Sequence, residues 1–429
     1  MGVWRALPRS WVLWVGAWLW VVTTGVILQF VVLPATSWHA GNGLLAGGDW
    51  VMFQAQAREL AEAVRQQGWD KWQLRYEGQA PASLAAALYA LTGVEEPWVL
   101  LPVHGVLYAL ALWAYMSMAT ALGVKGRAQW LVVLPFAFPS AVLIYAQLHK
   151  DILSLPGVAL IAWAWVRAVQ VHRMSWQSIR SVMVAAAVGT LLVWWPRPYQ
   201  AQILLGLTTL MWLGALAMAW RTRRREVAAL ATMMTLTMGL VYVMAEKAAA
   251  PAAPAAPVCQ TWKPEFRIPV LDRPVASLFC FRHTFLQYYK GNGNIDTQHW
   301  LINYAEALAY LPRALQVGVL APFPVHWTAD ASSPGGQVKR LSAGMEMMVF
   351  YVALVGLVFL LIRGISAAEM GLLVISLGCI IFYVYTSPNI GAIYRYRWPF
   401  MLLLFILALA GWCRLFSGVG HEGGAQCKR

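Results

Sequence analysis

Ten long apolar runs divide this sequence, and they constrain its fold more than any other feature. They lie near 11–33, 98–122, 129–148, 152–170, 181–196, 199–220, 226–245, 343–362, 367–386 and 397–417. The hydrocarbon core of a bilayer is about 30 Å thick, which roughly 20 helical residues can cross. In lipid each backbone N–H and C=O must be satisfied internally, so runs of that length become helices. The chain therefore reads as all-α: a polytopic membrane protein with about ten transmembrane helices. The fifth run is short for a bilayer. The first is too long for the apolar core of a signal peptide and lacks a small-residue cleavage site, so it counts as a span.

Composition agrees. Of 429 residues, 60% are hydrophobic and 12% charged, where a soluble domain carries roughly 25% charged residues. That excludes an ordinary soluble enzyme and a disordered chain. Many of the 24 Trp fall near run ends, where a ring that is apolar but carries an N–H suits the headgroup layer. A net charge of +14 would suit nucleic acid if it formed one stripe. The basic residues instead punctuate apolar runs, so no nucleic-acid partner is expected.

Charge also orients the chain. One set of ends and short loops carries Arg5, Arg9, Lys125, Arg127, Arg173, Arg180 and the run RTRRRE at 221–226, against few acids. The positive-inside rule makes that side cytoplasmic. Both termini then lie in the cytoplasm, and the membrane is expected to be a bacterial inner membrane. Three parts follow: a membrane module 1–245 with a first extracytoplasmic loop at about 34–97, an extracytoplasmic segment 246–342, and C-terminal helices with a tail, 343–429. The second segment opens with AEKAAAPAAPAAP, a Pro-rich and extended linker. Its stretch IDTQHWLINYAEALAYLPRALQVGVL is amphipathic and suits a membrane surface. Cys259 and Cys280 fall in this segment. An oxidising compartment would allow a disulfide between them, the other reading being two buried thiols.

The polar residues of interest cluster on the extracytoplasmic turns. In GGDWVMFQAQAREL, Asp49 precedes an amphipathic helix. It reads either as the helix N-cap or as a carboxylate able to take a hydroxyl proton. His149, Lys150 and Asp151 form a tight turn between the third and fourth runs. Charge at that depth is paired or functional. Lys150 could bind a phosphate and Asp151 orient a nucleophile or a metal; otherwise the turn is solvated, with Asp151 capping the next helix. Arg197 stands between two prolines in WWPRPYQ, suited to a phosphate or to snorkelling among headgroups. Tyr394, Arg395, Tyr396 and Arg397 stand at the mouth of the last run and read as a phosphate clamp or as headgroup contacts. Phe53, His149, Tyr199, Tyr394 and Tyr396 are the candidate substrate contacts. No Walker A loop, GxGxxG after a strand, or GxSxG elbow appears, so nucleotide energy is not expected.

These segments together resemble the GT-C superfamily of polytopic glycosyltransferases, which use polyprenyl-phosphate sugars. Members carry an Asp in the first outer loop followed along a helix by an aromatic and an Ala, here Asp49, Phe53 and Ala57, with Phe53 where many have Tyr. APASLAAALYALTGVEEPWVLLPVHG is similar to their approach to the second span, and Asp151 matches an acid in their second outer loop. Arg197 to Tyr199 and Arg395 to Pro399 match the RPY and RYR-P patterns of bacterial members. The resemblance covers roughly 11–220 and 385–417, and leaves 246–342 unassigned.

The resemblance implies an inverting transfer of sugar from a polyprenyl-phosphate donor to a glycan, lipid or protein acceptor on the extracytoplasmic face, as in cell-envelope polysaccharide biosynthesis. Asp49 would be the general base, with Asp151 assisting. Lys150, Arg197, Arg395 and Arg397 would bind the donor phosphate. No cofactor is required; some relatives hold a divalent cation, for which this sequence shows no clear cage. Two other readings stay open. A surface-polysaccharide polymerase or ligase would lean on Arg282 and His299. The other is a lipid-glycan transporter or a non-catalytic assembly subunit; a transporter should show repeats and mid-span charges, and neither is seen.

Overall fold

The computed structural model describes residues 10–249, 269–288, 293–328 and 334–419. Cys259, most of the Pro-rich linker and the basic residues of both termini lie outside the described residues. The described chain is helical, with only the isolated bridges His39–Leu45 and Asn294–Asn389. It divides into two compact units: Met1–Ala249, Val352–Val374 and Leu402–Arg429 form one, and Ala250–Tyr351 and Ile375–Met401 the other.

In chain order the α-helices are α1 (Ser10–Ile27), α2 (Asp49–Gln67), α3 (Ala80–Thr92), α4 (Leu101–Ala121), α5 (Pro139–Ala146), α6 (Asp151–Val169), α7 (Trp176–Trp194), α8 (Pro198–Thr222), α9 (Arg225–Ala248), α10 (Pro269–Tyr288), α11 (Tyr304–Leu320), α12 (Pro334–Arg363), α13 (Ala367–Thr386), α14 (Ile390–Tyr396) and α15 (Trp398–Val419). Among the described residues, nine helices are long and apolar enough to cross a membrane. The third apolar run differs. It is a 3-10 segment, Gly126–Ala137, bent by 61° against α5. Pro135 and Pro139 cause the break: each removes a backbone N–H, and Phe138 before the second proline sits at φ −65°, ψ 148°, outside the helical region. The fifth run proves longer than it reads. Ser175 caps α7, accepting the Ser178 N–H at 3.1 Å, so the helix begins upstream at Trp176.

Within the first unit α6 is the central helix, buried on nearly all sides, as expected of one apolar all round. It meets α7 where two glycines face each other. A Cβ on Gly157 would lie 2.8 Å from the Gly189 carbonyl, and one on Gly189 would lie 2.9 Å from the Gly157 carbonyl. Small residues let membrane helices approach this closely. Gly189→Leu should therefore wedge α6 from α7 at an overpacking cost of about 1–3 kcal/mol. A thermal melt in detergent should show a lowered midpoint, while Gly206→Leu, at a position open to space, should melt as wild type does. Equal midpoints would refute the close crossing.

The first loop folds as a helical hairpin. Phe53, Ala57, Leu60, Ala61 and Val64 of α2 pack on Ala82, Ala85, Ala86 and Tyr89 of α3, a spacing that puts each set on one helix face. Polar contacts fix the pair. The Tyr89 hydroxyl donates to Gln54 Oε1 at 2.6 Å, and Gln54 Nε2 and Arg58 Nη2 both donate to the Glu95 carbonyl, at 2.8 and 3.1 Å.

In the second unit, Phe279, Leu301, Tyr310, Ala314, Val317, Val384 and Ile393 form a core. The apolar face of α11 is thus spent on protein packing. Asn389 Nδ2 donates to Asn294 Oδ1 at 2.9 Å, and the backbone of Ile390 to Gly293 O at 2.8 Å. Arg313 forks the Asp296 carboxylate, with Nε to Oδ2 and Nη2 to Oδ1 both at 3.0 Å, and the Tyr310 hydroxyl adds a bond of 2.9 Å. Burial alone would push the Asp296 carboxyl up; the Arg313 guanidinium and the Tyr310 hydroxyl outweigh it and hold it below the usual carboxylate value. A folded pKa below the unfolded one stabilises above the unfolded value, about 4, and the contribution is lost as pH falls through the folded value. Hydrogen exchange over 293–320, corrected for intrinsic rates, should accelerate in that acid window. Arg313→Gln should raise exchange already at neutral pH. An unchanged profile would show that the pair does not hold this segment.

Candidate functional site

Three connections of the first unit meet at one end: the loop before and through α2–α3, the turn between α5 and α6, and the turn between α7 and α8. Trp195 Nε1 donates to the Leu74 carbonyl at 2.5 Å, and Trp194 Nε1 to Glu246 Oε1 at 2.7 Å. On the other side, Gln147 ties the loop to the α5–α6 turn. Its Oε1 accepts from Leu45 N at 3.0 Å and its Nε2 donates to Gly43 O at 3.1 Å. Gln29, set in the π turn Leu28–Val32, donates to the Ala146 carbonyl at 2.7 Å. These buried glutamines were not singled out in the sequence; their signal is a polar side chain at the edge of an apolar run.

The α5–α6 turn places His149, Lys150 and Asp151 in sequence. Asp151 opens α6 with its carboxylate at the positive end of the helix dipole. It is fully buried and pairs with Arg197, itself 2% exposed. Pro196 and Pro198 flank Arg197, and Pro198 begins α8, so the guanidinium leaves a stiff backbone. His149 Nδ1 lies 2.9 Å from Asp151 Oδ2 and 3.1 Å from Asp151 N. Protonated, that nitrogen donates to the carboxylate; unprotonated, it accepts the backbone N–H. Both states hold the turn in shape.

α2 sits on this turn. The Trp50 ring is 6.1 Å from that of His149, and the Lys150 ammonium lies 5.7 Å from the centroid of Phe53. The N-cap of α2 is Gly48, reached through Gly47 at φ +78°, a left-handed conformation that suits glycine. Asp49 is therefore the first helical residue, not the cap, and it is exposed. Phe53 is buried under Lys150. Tyr199 is exposed at the second position of α8. Gln200 beside it is fully buried, and its amide has no hydrogen-bond partner among the described residues.

The last turn belongs to the second unit. Arg397, 1% exposed, donates to the carbonyls of Gly318 and Ala321 and, at 3.4 Å, of Val317. It closes the C-terminal end of α11, where cations are favoured. The Tyr394 ring lies 5.4 Å from that guanidinium, and its hydroxyl donates to Glu346. Arg395 stacks on Tyr396 at 4.9 Å, and Tyr396 lies 5.3 Å from Tyr383. Arg282 is fully buried, donating to the carbonyls of His299, Val384 and Asp296 at 2.8, 3.1 and 2.9 Å. Burial pushes its guanidinium pKa down. Cys280 is half-buried. Among the described residues no group of three or more His, Cys, Asp or Glu side chains gathers to hold a metal ion.

No family model matches the sequence, and no curated protein matches it. Among solved structures the fold is similar to that of the archaeal oligosaccharyltransferase AglB from Archaeoglobus fulgidus, determined in complex with an inhibitory peptide and a dolichol-phosphate. The TM-score is 0.52 at 13% identity, over 97% of this chain and 52% of that one. The chain spans about half the length of AglB, and what the two share is the membrane-helical fold.

Proposed function

We propose that the chain is a membrane glycosyltransferase of GT-C type. It moves a sugar from a polyprenyl-phosphate donor to a glycan, lipid or protein acceptor on the extracytoplasmic face. The observation that carries this reading is the seating of α2 on the His149–Asp151 turn. It sets an exposed carboxylate, Asp49, at the start of a helix docked beside Lys150 and over the buried Asp151–Arg197 pair. The likeness in fold to an oligosaccharyltransferase supports it, as does the basic character of the opposite loops.

In this reaction Asp49 takes the acceptor proton as the acceptor oxygen or nitrogen bonds to the anomeric carbon. The bond from that carbon to the phosphate oxygen breaks, and polyprenyl phosphate leaves with the electron pair. Attack opposite the leaving group inverts the centre. Lys150, its ammonium 5.7 Å from the Phe53 ring, faces the charge that grows on the phosphate, where a preset cation is worth most. Arg197 and Asp151 hold each other and the turn, so their part is to position Lys150 and to keep the site rigid. The test is binding and turnover of a polyprenyl-phosphate sugar by the detergent-purified protein beside Asp49→Asn. Binding with no transfer in the variant supports the reading. Absence of binding to several sugar-linked lipids by folded protein would overturn it, and would favour the transporter or assembly role.

A further inference from the structure

The second unit holds a cavity of about 490 Å³ lined in part by Gln298, His299, Trp300, Glu306, Tyr310 and Arg313. Small-ligand pockets run from roughly 300 to 1,000 Å³. Its walls are held from behind. Arg282 Nε donates to the His299 carbonyl at 2.8 Å, and His283 Nε2 meets the next carbonyl, that of Trp300, at 2.5 Å. The His283 ring stands edge-on to the Trp300 indole, 5.3 Å away at 73°. Leu301 follows at φ +54° with its side chain 1% exposed. Such a conformation is costly in a residue with a side chain, and persists only where the surroundings over-determine it. The outcome is an indole braced by the buried His283 of α10, next to a backbone held by Arg282, yet 46% exposed. Tyr310 is braced too, with Arg282 at 5.2 Å from its ring and His299 at 5.1 Å.

The chemistry of the walls selects the ligand. Arg313 already forks Asp296, so an anion finds its charge matched. Glu306 accepts from the Ile302 N–H at 3.1 Å and from Asn303 Nδ2 at 3.3 Å, and a carboxylate keeps further lone pairs for donors. A hydrocarbon tail would cover Gln298, Glu306 and Arg313 without bonding them, which is costly. A neutral ring with one apolar face and hydroxyls at its rim suits all of these groups at once. The indole takes the face, Glu306 accepts from hydroxyls and Gln298 donates, with Arg313 adding what N–H capacity remains beside its bonds to Asp296 and, from Nη1 at 2.7 Å, to Gln316. We propose that this cavity is a carbohydrate-binding site that takes a neutral sugar ring stacked on Trp300.

The whole protein, purified in a sugar-free detergent, would be mixed with the methyl glycosides of glucose, galactose, mannose and N-acetylglucosamine. Saturation-transfer NMR should show ring protons of at least one glycoside receiving magnetisation. Trp300→Ala should weaken that binding by about tenfold or more, as loss of a central aromatic anchor does. Gln298→Ala, at an exposed position, should weaken it less. No transfer to any glycoside at its solubility limit would overturn the proposal, as would equal binding by wild type and Trp300→Ala, or transfer only to detergent alkyl protons. The readout is binding, so it separates from the transferase reading: a glycoside can bind where no donor sugar is ever transferred, and the reverse.

Discussion

Asp151→Ala is expected to destabilise the first unit by about 3–5 kcal/mol, the typical cost of removing one partner from a buried ion pair. Asp151 is fully buried and Arg197 is 2% exposed, so the variant keeps a guanidinium out of water and takes away its carboxylate. Arg197 cannot shed the charge by losing a proton, because guanidinium stays protonated. The backbone offers no relief either, since Pro196 and Pro198 flank the residue. Asp151→Leu combined with Arg197→Met should recover most of the loss. Replacing both charges with apolar groups of similar size is often neutral or stabilising. The measurement is the thermal midpoint and the monodisperse fraction after heating in detergent. If Asp151→Ala melts with wild type, the pair is not what holds the α5–α6 and α7–α8 turns together. The recovered double variant should still transfer poorly, because Lys150 would then stand on a turn without its buried anchor.

Asp49→Asn should lose roughly 10²- to 10⁴-fold in turnover, the usual share of a general base. Stability should fall by no more than about 1 kcal/mol, the dipole share of an exposed carboxylate in a first helical turn. The residue is exposed, and Gly48 rather than Asp49 is the N-cap of α2. The amide keeps the size of the carboxylate and removes its charge and its basicity. Donor binding should survive, because Lys150 is untouched. Single-turnover kinetics with a polyprenyl-phosphate sugar separates binding from transfer. Wild-type turnover in Asp49→Asn would remove it as the base. Loss of both binding and fold would make it a structural residue at the helix start.

Much of the architecture was legible because it is a local matter. A run of apolar residues in lipid has one way to satisfy its backbone, so each run became a helix or, at Pro135 and Pro139, a bent pair. The amphipathic helix after Asp49 was legible too, but its pairing with α3 through Phe53, Ala57, Leu60 and Val64 was not. The polar turns stood out as interruptions in apolar sequence. What those turns do with their charges was not legible. Arg197 and Arg397 look alike in sequence, each an arginine beside aromatic and proline residues at the end of a run. One pairs with a carboxylate 46 residues away, and the other with carbonyls up to 80 residues away. Asp49 read as cap or base, and only the structure showed that Gly48 holds the cap position.

The sequence by itself determined the helical class, the number and order of apolar segments and the types of residue at their ends. These follow from hydrophobic transfer and backbone hydrogen bonding, which each segment settles with its own atoms. Only the tertiary structure decided which polar groups are spent on the protein and which stay exposed: Asp151 locked to Arg197, Arg397 and Arg282 on carbonyls, Asp49 and Trp300 on the surface. The partner of a charge comes from a distant part of the chain, and its energy depends on burial and separation. Residue type and spacing carry neither.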